Sequence, residues 1–199
     1  MSWTQEVRKT DANVRNVIYG MMISLDGYVA RPDGTLDWVT VDEELHTFIN
    51  DQHREYGAYL SGRRTHEMMV AAWPAVAEDP EAPGFMLDFA DIWKAMPKVV
   101  FSKTLEEVGW NARLAQDDIT AEVERLKREP GGDMVVGGPT LASTFLELGL
   151  IDVVDLFVNP AILGAGIPLF PEFDGSVNMQ LEDSKTFDSG VVYLRYRTV

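Results

Sequence analysis

Ser61-Gly62-Arg63-Arg64-Thr65 places a glycine, two guanidinium groups and two hydroxyls where a short apolar run ends and a helical pattern begins. A helix start offers free backbone N–H groups and the positive end of the helix dipole, so these residues make an anion site. Two arginines at a helix start are opposed by that dipole, and a bound anion would offset the conflict. Without a ligand, Gly62 would serve only a turn and the arginines would be solvated. Met134-Val135-Val136-Gly137-Gly138-Pro139-Thr140 repeats the order of strand, glycine and helix, with Pro139 in a first turn where its missing N–H is tolerated. Gly137 and Gly138 let a pyrophosphate or a flat ring approach the backbone, or else make a tight turn packing helix on strand. Ser102, Lys103 and Thr104 add two hydroxyls and a cation behind a third apolar run.

Chemistry at such a site also needs a proton source. Asp26 at a strand end, Asp37 beside Trp38, and Asp42 and Glu43 at the start of a helix are the candidates. Each has a plain structural use as well. Asp26-Gly27 suits a turn, Asp42 or Thr40 suits an N-cap, and Thr40-x-x-Glu43 has capping-box spacing. Trp38 and Trp73 could line a slot for a flat heterocycle or pack in the core. His46 and His53 are seven residues apart on one helical pattern, and His66 has no carboxylate at ligand spacing, so no metal site is expected.

The chain of 199 residues carries 17 Lys and Arg against 32 Asp and Glu, a formal charge of −15, which argues against a nucleic-acid or anionic-membrane partner. Cations gathered just past strand ends in so acidic a chain are the local reversal of charge that a nucleotide requires. There is no cysteine, which removes disulfides, thiolate metal sites and cysteine nucleophiles. The first fifteen residues read as a polar arm without the apolar core of a secretory signal, and no run suits a membrane span, so a cytoplasmic protein is expected. Residues 16–199 then form one domain, with 46% apolar residues for its core.

The elements that must hold these groups follow from periodicity. Apolar runs at 17–23, 58–60, 98–101, 134–136, 153–158, 179–184 and 191–196 alternate with helical patterns, predicting an α/β fold with seven strands in one sheet. A helix should begin near Asp42, with Leu45, Phe48 and Ile49 on its buried face. Ile119, Val123 and Leu126, then Leu141, Phe145 and Leu148, mark two more amphipathic helices. The stretch from Pro74 to Gly84, with three prolines and three acids, reads as a surface connection. The last two strands have no helix between them, so they predict an antiparallel hairpin turning at Asp188-Ser189-Gly190 in a mixed sheet.

Taken in order, Ser24-Leu25-Asp26-Gly27-Tyr28-Val29-Ala30, Asp37-Trp38, Gly62-Arg63-Arg64-Thr65, Val136-Gly137-Gly138-Pro139, Gly149-Leu150-Ile151-Asp152 and Pro160-x-x-Leu163-Gly164-x-Gly166-x-Pro168-Leu169-Phe170 resemble the RibD C-terminal domain family. The likeness spans roughly residues 16 to 197. It implies a dihydrofolate reductase-like three-layer sandwich with a mostly parallel sheet between helices, NADPH as hydride donor, and a homodimer. Gly62, Arg63 and Thr65, with Arg64 beside them, match the segment touching the adenine-side phosphates. Ser102, Lys103 and Thr104 match the loop meeting the ribose 2′-phosphate. Gly137, Gly138, Pro139 and Thr140 match the glycine pair beside the nicotinamide and pyrophosphate, which a cis peptide joins in dihydrofolate reductases. Asp26 and Gly27 match the strand-end pair near the substrate, Trp38 is a candidate substrate wall, and Leu163, Gly164 and Gly166 match a loop with no assigned role. Glu43 lies near the place of the acid of true dihydrofolate reductases, although its neighbours depart from that enzyme's pattern. The expectation is an NADPH-dependent reductase of a small heterocyclic or carbonyl substrate, pyrimidine-like or pterin-like. The alternative is a nucleotide-binding regulatory or interaction protein that keeps the fold without turnover.

Overall fold

The computed structural model describes residues 14–171 and 176–199. Most of the expected N-terminal arm therefore lies outside the described residues. Arg15, its last residue, is buried and donates from Nε to the Gly132 carbonyl at 2.6 Å.

An eight-stranded sheet organises the chain in the order β5-β4-β3-β6-β1-β7-β10-β9. Its strands are β1 (Val17–Ser24), β3 (Ala58–Gly62), β4 (Lys98–Phe101), β5 (Ala112–Leu114), β6 (Met134–Gly137), β7 (Val153–Asn159), β9 (Met179–Thr186) and β10 (Val192–Thr198). The six from β5 to β7 are parallel, while β10 runs antiparallel to β7 and to β9. The α/β class, the mixed sheet and the C-terminal hairpin are therefore present. The strand count differs. β5 joins the sheet's edge, and β2 (Tyr28–Ala30) pairs with β8 (Ile167–Pro168) as a separate ribbon. These three runs of two or three residues are too short to show a period of two.

Helix α1 (Glu43–Glu55) begins where expected, with Asp42 as N-cap. It turns Leu45 and Ile49 into a cluster with Phe157, Phe187 and Tyr193 on one face of the sheet. Helices α4 (Ile119–Arg128) and α5 (Pro139–Glu147) cover the other face, packing Val123, Leu126, Leu141 and Phe145 against Val17, Tyr19, Leu60 and Val136. The expected surface connection from Pro74 to Gly84 is corrected: α2 (Arg63–Glu78) continues through Pro74, and α3 (Gly84–Ala95) follows after a short turn. Proline withholds one helical hydrogen bond, but packing holds this segment. Trp73 packs against Phe89 with tilted rings and centroids 4.4 Å apart, which also makes Trp73 a packing residue.

Parallel strands put all their carboxyl ends at one edge. Connections from β3 and β1 pass over the α1 face and the connection from β6 passes over the α5 face, so the crevice at this edge opens on both sides of β6. Ligands of open α/β sheets sit at such reversals of winding.

Candidate functional site

The loops after β4, β3, β6, β1 and β7 line this edge in that spatial order. Four strand spacings make a track of about 19 Å, long enough for an extended dinucleotide. Gly62 is paired with Phe101 and Ser61 with Gly137, so the three loops expected to meet phosphates are neighbours. Arg63 ties two of them, donating from Nη1 to Thr104 Oγ1 at 3.2 Å while its Nε pairs with Glu67 at 2.7 Å. The Ser102 hydroxyl accepts from the Thr104 and Leu105 amides, which folds the Ser102-Lys103-Thr104 loop into a turn.

The two helices that start here have bare ends. Gly62 caps α2 and Gly138 caps α5 without a side-chain hydrogen bond, and neither first turn holds an acid. Pro139 fills the first position of α5, followed by exposed Thr140. Among the described residues Arg64, Lys94 and Lys103 are the exposed basic side chains without an ion-pair partner. Two of the three stand on this track.

Three glycines play different parts. A Cβ on Gly137 would fall on the Tyr59 hydroxyl, and one on Gly138, whose φ is +93°, would fall on Thr65 Oγ1. This pair therefore brings β6 against β3 and α2. A Cβ on Gly62 would meet nothing within 4 Å, which leaves room over the α2 start for a ligand. The Gly137–Gly138 peptide is trans; among the described residues no peptide is cis. Tyr59 is buried, which pushes its hydroxyl up to about 12, so it stays protonated beside Gly137.

Beyond β6, β1 and β7 run on as a wall. Tyr19 is opposite Val136, so Ser24 stands four residues, about 13 Å, beyond the end of β6. Asp26 clamps the top of this wall. Its carboxylate accepts from the Ser24 hydroxyl at 2.7 Å and from the amides of Leu163 and Gly164 at 3.1 and 2.7 Å. Those donors, the Ser24 hydroxyl foremost, hold its carboxyl down to about 2. The Leu163–Gly164 loop thus has a visible role as Asp26's partner, and the Gly27 carbonyl accepts from Leu169 to continue the same seam.

The other acids lie on the connection from β2 into the start of α1. Asp42 Oδ1 accepts from the Leu45 amide at 2.7 Å, and this bond lowers its carboxyl below the usual range. Asp37 pairs with Arg31 at 2.6 Å. Glu43 is exposed, and its carboxylate makes no hydrogen bond among the described residues. Trp38 is 9% exposed, and its indole N–H is buried with no partner among the described residues.

Two further buried side chains stand at this edge, Tyr59 against Gly137 and Asn159 at the end of β7. Asn-Pro at a strand end was the only local signal for Asn159, and nothing local marked Tyr59.

Winding reversal, bare helix starts and, among the described residues, cations without an ion-pair partner meet at one edge of this α/β fold. This chain belongs to the RibD C-terminal domain family, whose sequence model matches residues 15–193. Its relatives include the uncharacterized protein YyaP of Bacillus subtilis, 32% identical over 92% of this chain and 94% of that one. Among solved structures, a Shewanella sp. PV-4 protein named for riboflavin biosynthesis superposes with a TM-score of 0.75 at 23% identity, covering 92% of this chain and 99% of that one. Dihydrofolate reductase of Enterococcus faecalis, solved with NADP(H), superposes with a TM-score of 0.59 at 13% identity, covering 92% and 96%. The fold is dihydrofolate reductase-like.

Proposed function

We propose that this protein is an NADPH-dependent reductase of a small heterocyclic or carbonyl compound, of the riboflavin-pathway pyrimidine or pterin type. The observation that carries the reading is the pair of uncapped helix starts facing one crevice, with Arg64 and Lys103 beside them, neither in an ion pair among the described residues, in a chain of charge −15. Family membership and the riboflavin-related relative support the reaction class.

The donor set fits NADPH. The free N–H groups of α2 and α5 suit its pyrophosphate. Lys103 and Arg64 suit the 2′-phosphate, and the space over Gly62 admits the close approach that these contacts need. When bound, this cofactor supplies the hydride. The chain must orient the acceptor and deliver a proton. Asp26 is ionised and fully engaged, and Asp42 caps α1, so we assign the proton relay to Glu43 and give Asp26 the task of holding the acceptor wall.

We further propose that the protein works in the cytoplasm as a homodimer, with residues 16–199 as one domain. No helix among the described residues is long and apolar enough to cross a membrane. The sheet face formed by β7, β10 and β9 opposite α1 has a groove of about 310 Å³ walled by Val154, Leu156, Phe170, Met179 and Tyr196. Among the described residues no charged side chain lines it, which suits a contact between two acidic copies. Light scattering should give twice the 22.3 kDa chain mass, and a 22.3 kDa particle would refute the dimer.

The test of function is NADPH oxidation at 340 nm with aminopyrimidines, dihydropterins and simple carbonyls as acceptors. Turnover that Glu43→Gln abolishes while cofactor binding survives is expected. Binding without turnover on any acceptor would instead favour the nucleotide-binding regulatory alternative.

A further inference from the structure

Asn159 ends β7 and is fully buried. It sits opposite Ser24, the last residue of β1, so its side chain lies at the root of the projecting acceptor wall. Both ends of its amide are used. Nδ2 donates to the Phe157 carbonyl at 3.1 Å and to the Ile23 carbonyl at 3.5 Å, while Oδ1 accepts from the Thr40 backbone N–H at 2.9 Å. Three segments distant in sequence therefore hang on one side chain: the end of β1, the end of β7 and the strap from Trp38 to Glu43. That strap carries the buried, unpartnered indole N–H and, one residue past the Asp42 cap, the free carboxylate.

We propose that Asn159 is the positioning residue of the acceptor side. By holding the Thr40 amide it fixes where Trp38 and Glu43 stand relative to the strand ends, and it makes no contact with the phosphate track. A side chain that must accept from one segment while donating to its own strand and to a neighbouring strand has to be an amide, because a carboxylate has no donor and an aliphatic group has neither. Leaving the Thr40 N–H and the Ile23 carbonyl without it frees the strap to leave the wall. The assignment of a catalytic consequence rests on the reductase reading; the assignment of the strap's anchor does not.

The experiment compares the intact protein with Asn159→Leu, which keeps the volume and removes every hydrogen bond, with Asn159→Asp, which keeps the acceptor for Thr40, and with Thr40→Pro, which deletes the N–H and leaves Asn159 in place. Three quantities are read: NADPH affinity, kcat against KM for the acceptor, and hydrogen exchange of the 36–42 backbone together with the Trp38 indole N–H resonance. Asn159→Leu and Thr40→Pro should each lower kcat at least tenfold, leave NADPH affinity within twofold, speed exchange over 36–42 and move the Trp38 resonance. Asn159→Asp should lose less kcat than Asn159→Leu. A parallel fall in NADPH affinity, or exchange and resonance identical to the unsubstituted protein, would overturn the proposal. Should the unsubstituted protein turn over no acceptor, the reductase reading fails, while the exchange and resonance data still decide whether Asn159 anchors the strap.

Discussion

Helices α1 and α4 begin as an acidic, stable helix should. Asp42 caps the first and Asp118 the second, each accepting from the backbone N–H three positions on, at 2.7 and 3.1 Å, and Glu43, Glu44 and Glu122 occupy their first turns. Helices α2 and α5 begin at Gly62 and Gly138 with neither cap nor acid, and Arg63 and Arg64 open the first of them. Helix α3 is also uncapped, but it follows a helix-to-helix connection rather than a strand. The protein thus uses its abundant acids to satisfy two helix starts and withholds them from the two that face the crevice. Unmet donors are the part of the fold left for a ligand.

The comparison can be broken most severely at Gly138. Gly138→Ala places a methyl against Thr65 in backbone of positive φ and should cost about 2 to 4 kcal/mol of stability, together with most NADPH affinity. Gly62→Ala, where the fold has open space, should cost under about 1 kcal/mol of stability while still weakening NADPH several-fold. Chemical denaturation beside ligand titration separates the two. Equal destabilisation would remove the distinction between a packing glycine and a ligand-facing one.

Next in size, Lys103→Ala and Arg64→Ala should each weaken NADPH by about 1.5 to 3 kcal/mol and NADH by less, because only NADPH carries a 2′-phosphate. Arg63→Ala should show a smaller preference, since its guanidinium is shared with Glu67 and Thr104. Equal losses for both cofactors would cancel the phosphate assignment. Asp118→Ala is the counterpart at a capped start. It should lower stability by about 1 kcal/mol, near 2 to 4 °C in melting temperature, and leave NADPH affinity unchanged.

The smallest expected effect concerns pH. The folded Asp26 carboxyl titrates near 2, below its ordinary value of 3.8, so the unfolded chain binds more protons between those values. Stability from the clamp is complete above about pH 4 and is lost as pH falls through 2. The melting difference between the unsubstituted protein and Asp26→Asn should therefore shrink from pH 5 toward pH 2. A difference constant over that range would show that the Ser24, Leu163 and Gly164 bonds do not select the anion.

Much of this was legible in residue order. Gly62 and the Gly137–Gly138 pair each sit between an apolar run and a helical period, so the strand-to-helix loops that start α2 and α5 could be read directly. The parallel neighbours then placed them side by side. The wall formed by β1 and β7 was less open to reading. Asn159 and Ser24 are neighbours only because β1 and β7 pair in one particular register, and Asp26 meets Gly164 across 138 positions. No local pattern carries such information. Likewise Asp42 and Glu43 are adjacent acids at one helix start, and only coordinates show that the first is engaged and the second free. Pro74 misled for a physical reason, since a breaker by propensity was overruled by Trp73 packing on Phe89.

The most direct test is calorimetric titration of the protein with NADPH and with NADH. Saturable heat with NADPH, tighter than with NADH and diminished as salt rises, is the predicted result. No measurable heat with either cofactor at millimolar concentration would contradict the claim that the bare starts of α2 and α5 form a dinucleotide cradle.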